Sequence, residues 1–243
     1  MADVQPLLAV QGVKKHFGAF PALKGISFDV GAGDFVAIVG PNGAGKSTLF
    51  NCIALTMRPS AGTIAFRGRD IHAHENEFRR DLGYISHQLF LYGELSGFEN
   101  LEFFARLYGL GDPRPRIEES LELMGLFPFR NRPVRAYSRG MKQRLAIARA
   151  LLHDPAVVLL DEPFTGLDQH AAAILIGLLV RLREEGKTVL LISHQLEHAL
   201  ELGNRILILA GGRIRSAMTA AEARGIPFRE HYLETVAGAG GEP

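Results

Sequence analysis

The stretch FVAIVGPNGAGKST, residues 35–48, decides the fold of this 243-residue chain. Its first five residues are apolar throughout, which is typical of a strand buried on both faces of a sheet. A glycine-rich turn follows, and then a helical stretch from Lys46 to about Met57. Glycines let backbone N–H groups approach phosphate oxygens, and a helix offers its positive end to them. The order of strand, loop and helix therefore predicts a phosphate-binding loop.

Two side chains of this loop carry specific chemistry. Lys46 is expected to reach the β- and γ-phosphates of a nucleotide, and Ser47 to ligate Mg²⁺. The other nucleotide-binding candidates surround them along the chain: Gly40, Pro41, Asn42, Gly43, Ala44, Gly45 and Thr48. The alternative is a glycine-rich turn that carries Lys-Ser by chance, and the flanking strand argues against it.

A second buried strand ends in two adjacent carboxylates, in the segment VVLLDE at 157–162. Neighbouring strand residues point to opposite faces, so we expect the two acids to divide the work. Asp161 would hold Mg²⁺, and Glu162 would face the attacking water as general base, an effect worth about 10²–10⁴ in rate. The alternative is a solvated acid pair at a strand end, which the preceding aliphatic run makes a poor interpretation.

Composition limits the partners and the compartment. Lys and Arg total 27 against 26 for Asp and Glu, so no long-range field gathers polyanions and we expect no nucleic-acid partner. Cys52 is the only cysteine, which excludes an internal disulfide and favours the cytoplasm. The N-terminus shows no secretory signal, and no segment reaches the roughly 18–20 apolar residues of a membrane-spanning helix. Membrane contact is therefore expected to pass through a partner.

The order of elements predicts one α/β domain over residues 1–243. Residues 8–30 alternate apolar and polar side chains, as antiparallel strands with one wet face do. The all-apolar strand pattern recurs at 156–160, 188–192 and 205–209, with helix-like segments at 169–185 and 195–202. This alternation favours a mainly parallel sheet flanked by helices. We expect a core at 1–86 and 154–218, an inserted helical subdomain at 87–153 and a short tail at 219–243.

A third motif makes a family resemblance specific. The segment YSRGMKQR, residues 137–144, lies just before the acidic strand and resembles the signature sequence of ABC ATPases. The resemblance covers the chain from about Leu8 to Met218, with every motif in the family's order. It implies an α/β P-loop NTPase fold with a mainly parallel core sheet, an N-terminal antiparallel β subdomain and an inserted α-helical subdomain. It also implies ATP and Mg²⁺ as ligands and ATP hydrolysis as the activity.

The resemblance further implies that two chains share each ATP site. Ser138 and Gly140, at the start of a helix, would contact the γ-phosphate bound by the other protomer. Asp168, in the segment TGLD, resembles the loop that crosses the dimer interface, and it is equally suited to cap a helix. This sequence departs from the commonest signature at Arg139 and Met141, where Gly and Gln are usual.

Two more residues match the family near the nucleotide. His194, after the strand at 188–192, matches the histidine that touches the γ-phosphate and the attacking water, and with Glu162 and Lys46 it forms the expected catalytic set. Phe17 matches the aromatic residue that stacks on adenine. The alternative for Phe17 is that it packs beside a glycine turn.

The loop between the sheet and the helical segment offers two candidates for one role. Counted back from Glu94, the glutamine that senses Mg²⁺ and water in this family falls on His87, and Gln88 lies next to it, so either could serve as a metal ligand. Most relatives have Pro-Gln here, whereas His-Gln resembles the ATPase subunit of the haem exporter of cytochrome c maturation. Residues 90–92, Phe-Leu-Tyr, either receive a helix of the membrane subunit or pack within the helical subdomain.

The resemblance implies an ATP-sandwiched homodimer or heterodimer of ATPase subunits, peripheral to the cytoplasmic face of the inner (plasma) membrane and bound to an integral membrane permease. We expect it to power export, with a haem-exporter-like system as one subtype. The alternative is a soluble ABC ATPase of translation or DNA repair, although such proteins usually join two ATPase units or carry a long coiled-coil insertion. A P-loop kinase or GTPase would leave residues 137–144 and His194 unexplained.

Overall fold

A four-stranded antiparallel sheet and a six-stranded, mainly parallel sheet frame the chain, which the computed structural model describes over residues 5–86 and 88–239. The strands are β1 (Leu8–Phe17), β2 (Phe20–Val30), β3 (Phe35–Val39), β4 (Ala61–Phe66), β5 (Arg69–Asp70), β6 (Leu82–Ile85), β7 (Val157–Asp161), β8 (Thr188–Ile192), β9 (Arg205–Ala210) and β10 (Arg213–Thr219). The helices are α1 (Lys46–Ile53), α2 (Glu75–Arg80), α3 (Gly97–Leu107), α4 (Arg114–Leu123), α5 (Arg139–Leu151), α6 (Gln169–Glu184), α7 (Leu196–Leu202), α8 (Ala220–Arg224) and α9 (Phe228–Ala237).

The smaller sheet has the order β2-β1-β4-β5. The predicted antiparallel pairing of β1 with β2 is confirmed, and their hairpin closes on the cross-strand pair Phe17 and Phe20. One face of this sheet is buried through residues such as Val10, Ile26 and Ile64, which lie in the same hydrophobic core as α1. The sequence alternates apolar and polar side chains here because only one face of this sheet is buried.

The larger sheet has the order β10-β9-β3-β8-β7-β6. All neighbouring strands from β9 to β6 run parallel, and β10 pairs antiparallel to β9 at one edge. Every residue of β3, β7 and β8 is buried, because helices cover both faces of the sheet centre. The prediction of a mainly parallel core sheet is confirmed.

The strand order positions the site. Because β8 lies between β3 and β7 and all three are parallel, their carboxyl ends meet at one edge of the sheet. The loops that follow these strands therefore come together, although they are far apart in the sequence. They carry the phosphate-binding loop, the acid pair and His194.

Helices fill the chain between β6 and β7. Ser96 begins α3 as the first half of a capping box with Glu99, so both side chains satisfy backbone N–H groups at the helix start. Leu101, Ile117 and Leu121 lie in the hydrophobic core that α3 and α4 share with α5. Leu107, the last residue of α3, is 67% exposed, so its side chain does not join this core.

Helix α1 is shorter than its sequence pattern predicts. It ends at Ile53, and the Asn51 carbonyl accepts the N–H groups of both Thr56 and Met57. Leu55 takes a positive φ of 58°, so the chain turns away from the helix axis there. The tail predicted at 219–243 contains the two short helices α8 and α9, and its residues 240–243 lie outside the described residues. Across the described ranges, none of the helices combines the length and the apolar character needed to cross a bilayer.

Candidate nucleotide site

The loop after β3 wraps around the Lys46 ammonium. The Nζ atom of Lys46 donates to the carbonyls of Gly40 at 2.8 Å and Pro41 at 2.9 Å, and the residue is only 6% exposed. Among the described residues no side chain caps the start of α1, and no acid occupies its first turn. The first N–H groups of α1 therefore point at the loop with the positive end of the helix behind them, which suits a phosphate.

Two glycines of the loop are required by close backbone approaches. A Cβ atom on Gly40 would lie 2.0 Å from the Leu209 carbonyl oxygen at the end of β9. Gly45 has a φ of 102°, and its Cβ would lie 2.7 Å from the Ala22 carbonyl oxygen. Besides exposing backbone N–H groups, these glycines let the loop pack tightly against β9 and β2.

The acid pair is built differently from the sequence expectation. Strand β7 ends at Asp161, and Glu162 has a positive φ of 53° while its N–H donates to the Ile192 carbonyl at 3.1 Å. The two acids therefore do not both lie on extended strand backbone, as the strand pattern predicted, because the backbone leaves the extended conformation at Glu162. A left-handed non-glycine residue costs of order 1–3 kcal/mol and is found at functional sites.

Both carboxylates act on the buried lysine. Burial lowers the pKa of the Lys46 ammonium, and the negative charges of Glu162 and Asp161 oppose that shift. Asp161 is 2% exposed, and its charge also adds to the burial effect that raises the pKa of Tyr84 to about 12. At this edge of the sheet, the Lys46 ammonium thus lies in the phosphate-binding loop under the influence of the Asp161 and Glu162 carboxylates.

The loop after β8 brings the predicted histidine to the predicted base. The Nε2 atom of His194 lies within hydrogen-bond range of Glu162 Oε1. Ser193 holds the turn, because its Oγ accepts the Gln195 N–H at 3.1 Å and donates to the Gln195 carbonyl at 3.2 Å. On the other side of Glu162, the Thr165 hydroxyl lies 3.5 Å from Oε2. Glu162 is therefore contacted by the loop after β8 and by the turn that follows it in its own chain segment.

Glu162 lines two adjacent depressions. The first, of about 270 Å³, contains the following side chains and loop residues: Phe17, Phe20, Ala22, Asn42, Gly43, Ala44, Gly45, Lys46, Ser47, Thr48 and Glu162. The second, of about 210 Å³, is lined by Glu162 with residues 164–167 and 193–195. Phe17 thus shares one surface with the phosphate loop. Sequence reasoning did not include Phe20 among the site residues. The two-residue turn between Phe17 and Phe20 could have indicated it, because such a turn pairs the two residues across the hairpin.

Ser138 and Asp168 both begin helices, as their residue types predict. The Ser138 Oγ accepts the Met141 N–H at 3.2 Å at the start of α5, and Asp168 Oδ1 accepts the Ala171 N–H at 2.8 Å at the start of α6. Gly140 packs on the start of α6, where a Cβ atom would lie 3.4 Å from that of Ala171. Within the described residues, neither Ser138 nor Gly140 lines the two depressions at Glu162.

Of the two candidates for the metal-sensing position, the structure describes only Gln88. His87 lies outside the described residues. Gln88 is exposed, its N–H donates to Ser86 Oγ at 3.2 Å, and it lines neither depression in the described structure. Ser47 and Asp161, by contrast, supply a hydroxyl and a carboxylate at the same sheet edge, and these hard oxygen donors suit Mg²⁺.

Comparison with known proteins agrees with this geometry. The ABC transporter family model matches residues 23–165. The chain is 38% identical over 226 residues to the daunorubicin resistance ATP-binding protein DrrA3 of Streptomyces coeruleorubidus, covering 92% of this chain and 71% of that one. It is 37% identical over 196 residues to the ABC transporter ATP-binding protein NatA of Bacillus subtilis strain 168, covering 79% and 80%.

Solved structures are similar over nearly the whole chain. An ATP binding subunit of an ABC transporter superposes with a TM-score of 0.86 at 32% identity, covering 94% of this chain and 99% of that one. The dimeric ATP-binding cassette MJ0796, in a post-hydrolysis state with ADP and Pi, superposes with a TM-score of 0.81 at 30% identity, covering 88% and 98%. Since the family model spans more than half of the sequence and both relatives are matched over more than two thirds of their length, this chain belongs to the ABC transporter family as an ATP-binding ATPase subunit.

Proposed function

We propose that this subunit hydrolyses Mg-ATP with Glu162 as the general base, inside a dimer whose closure drives a separate membrane subunit. The observation that carries the proposal is the position of Glu162. Its carboxylate lines the depression of the phosphate loop and contacts His194 as well. A carboxylate in that place can accept a proton from a water that attacks the γ-phosphate, while the imidazole orients the carboxylate and the water.

The other groups divide binding from chemistry. Lys46 and the start of α1 would bind the β- and γ-phosphates, and Phe17 would stack on the adenine ring. Ser47 and Asp161 would hold Mg²⁺, which supplies charge neutralisation at the phosphates when it is bound. His87 and Gln88 remain candidates for a further contact to the metal.

The second half of each site is proposed to come from another copy or a related subunit. Ser138 and Gly140 lie at the start of a helix of 13 residues without an acid in its first turn, which suits a phosphate, but they line neither depression of their own chain within the described residues. The similar cassette MJ0796 is a dimer with ADP and Pi, which supports the same arrangement here. Asp168, at the start of α6, would lie at the interface between the chains.

An exposed aromatic surface supports a membrane partner. Phe90 is 54% exposed and Tyr92 is 50% exposed, and Tyr92 packs edge-on against Phe103 with ring centroids 5.0 Å apart. Leu91, between them, is partly buried against the helical core. We propose that this aromatic surface, formed by Phe90, Tyr92 and Phe103, receives the permease, which places the subunit peripherally at the cytoplasmic face of the inner membrane.

We propose export as the direction of transport. The drug-resistance protein DrrA3 and the Nod factor export ATP-binding protein I of Ralstonia nicotianae support it, while sulfate/thiosulfate and taurine import proteins are similar at 33–37% identity. The haem-exporter subtype rests on the pair His87-Gln88 alone. A role in translation or DNA repair is the competing function, and the near-zero net charge of +1 disfavours it.

The decisive variant is Glu162→Gln. It keeps the shape of the side chain and removes the base, so ATP binding should persist while turnover falls by about 10²-fold or more and a closed dimer accumulates. Glu185→Gln, at the exposed end of α6, is the matched control and should hydrolyse ATP normally. Normal turnover by Glu162→Gln refutes the assignment of the base. Co-purification with ribosomes in place of an integral membrane protein would favour the competing function.

A further inference from the structure

Arg139 lies across the turn that carries the general base. It stands where the family signature usually has glycine, and it is the first residue of α5. A Cβ atom on Gly166 would lie 2.6 Å from both Cζ and Nε of Arg139 and 2.9 Å from Nη1. The guanidinium therefore covers the Cα atom of Gly166, and any larger residue at that position would displace it.

Helix electrostatics do not explain this arginine. A cation in the first turn of a helix is disfavoured by the positive end of the helix dipole, and an exposed arginine is free to extend into water. Arg139 is exposed, yet its planar group rests on a backbone with a positive φ of 75° at Gly166. A guanidinium is more weakly hydrated than an ammonium group, so it gives up less hydration when it lies against an uncovered glycine backbone.

The turn under Arg139 leads directly to Glu162. The Thr165 N–H donates to the Glu162 carbonyl at 3.1 Å, and the Thr165 hydroxyl lies 3.5 Å from the Glu162 carboxylate. At its far end the turn meets α5 again, because Gly140 packs near Leu167, where its Cβ would lie 3.8 Å from a Leu167 methyl carbon. The turn at residues 162–168 thus contains the proposed base at one end and contacts the signature helix α5 at the other.

We propose that Arg139 is a positioning residue that joins the signature helix to the general base through Gly166 and Thr165. This inference rests on the proposed function, in which Ser138 and Gly140 serve the partner's ATP and Glu162 serves the chain's own. A nucleotide that pulls on the signature helix then shifts the turn and reorients Glu162 at the other site. The two sites of a dimer consequently hydrolyse ATP cooperatively.

Unfolding experiments test the contact without any nucleotide. Gly166→Ala introduces strain at a positive φ in every background, but it meets the guanidinium only when Arg139 is present. The drop in the midpoint of denaturant unfolding caused by Gly166→Ala should therefore be smaller in Arg139→Ala than in the wild type. Equal drops in the two backgrounds overturn the inference.

ATPase kinetics test the positioning role. Arg139→Ala should lower the Hill coefficient for ATP towards 1 and reduce kcat several-fold, with KM within about twofold of the wild type. Arg139→Lys should not rescue either value, because lysine lacks the guanidinium atoms that contact Gly166 and its ammonium group is more strongly hydrated. Arg135→Ala removes an exposed arginine of the same region, paired with Glu94 at 2.5 Å, and should leave both values unchanged.

The outcomes separate the two proposals. Full rescue by Arg139→Lys, or cooperative wild-type hydrolysis that Arg139→Ala leaves unaltered, overturns the inference alone. Full-rate hydrolysis by a wild-type monomer overturns the proposed function, and the inference falls with it.

Discussion

The imidazole of His194 lies against the carboxylate of Glu162, and this contact joins the loops that follow two neighbouring parallel strands. One carboxylate oxygen is held by His194, and the other lies near the hydroxyl of Thr165. Glu162 is only 15% exposed through its side chain, while His194 is 41% exposed and open to a ligand. The histidine can therefore contact both the base and the bound nucleotide.

Replacing His194 by Ala should reduce kcat far more than nucleotide affinity. The base loses the partner that orients it, so we expect kcat to fall by about 10²-fold while the Kd for ATP changes by less than about threefold. Single-turnover hydrolysis and fluorescent-nucleotide titration measure the two quantities. His170→Ala on the exposed start of α6 is the control. An unchanged kcat in His194→Ala would show that the contact with Glu162 is only structural.

Phe17→Ala should weaken ATP binding and leave the fold intact. Phe17 is 48% exposed beside the phosphate loop, and stacking of a base on an aromatic ring is worth about 1–3 kcal/mol by alanine substitution. We expect a Kd for ATP about tenfold higher with an unchanged melting temperature. Phe20→Ala, across the same hairpin, is the matched control and should have the smaller effect. The reverse order would assign the adenine to Phe20.

Arg149 connects α5 to the aromatic surface from inside the protein. It is 8% exposed, its Nη2 donates to the Tyr84 carbonyl at 3.2 Å, and its Cζ lies 5.0 Å from the Phe104 ring centroid and 5.9 Å from that of Phe90. Arg149→Ala leaves a cavity and removes the hydrogen bond to the Tyr84 carbonyl, so we expect a loss of about 2–4 kcal/mol in the free energy of unfolding.

The matched variants separate volume from charge at this position. Arg149→Met fills most of the space without a buried charge and should cost less than about 1.5 kcal/mol in urea unfolding. Arg106→Ala, on the exposed side of α3, should stay within about 0.5 kcal/mol of the wild type. If Arg149→Met costs as much as Arg149→Ala, the cation over the rings is the dominant contribution.

Cys52 should make the stability of the protein fall at alkaline pH. The thiol is fully buried in α1, and burial raises its pKa from 9.0 to about 11, with a smaller opposing effect of Lys15. Between these two values the unfolded chain loses the thiol proton while the folded chain keeps it. Stability is therefore complete below pH 9 and declines as the pH rises towards 11, by about 1 kcal/mol at pH 10.

Urea unfolding at pH 8 and pH 10 checks this prediction against Cys52→Ala. The other titrating groups are common to both proteins, so the difference between them isolates the thiol. A pH dependence that is identical in the two proteins would contradict the assignment.

Local patterns determined several parts of this protein. Predominantly apolar runs predicted β3 and β8 with their observed bounds, because a strand covered on both faces buries its side chains at every position. The helix start at Ser138 and the cap at Asp168 were predicted, because a cap depends on residues within one turn. Strands β4 and β6 escaped prediction, since they are short and carry weak patterns interrupted by Gly62 and Gly83.

Only the tertiary structure decided how the candidate site is assembled. The bend at Glu162 is held by a hydrogen bond to Ile192 on the neighbouring strand, and the contact with His194 exists because β7 and β8 are adjacent in the sheet. The approach of Arg139 to Gly166 similarly depends on how α5 packs beside the turn. Residue types along the chain supply the chemical groups, but strand order and packing set the distances between them, because those distances join atoms remote in sequence.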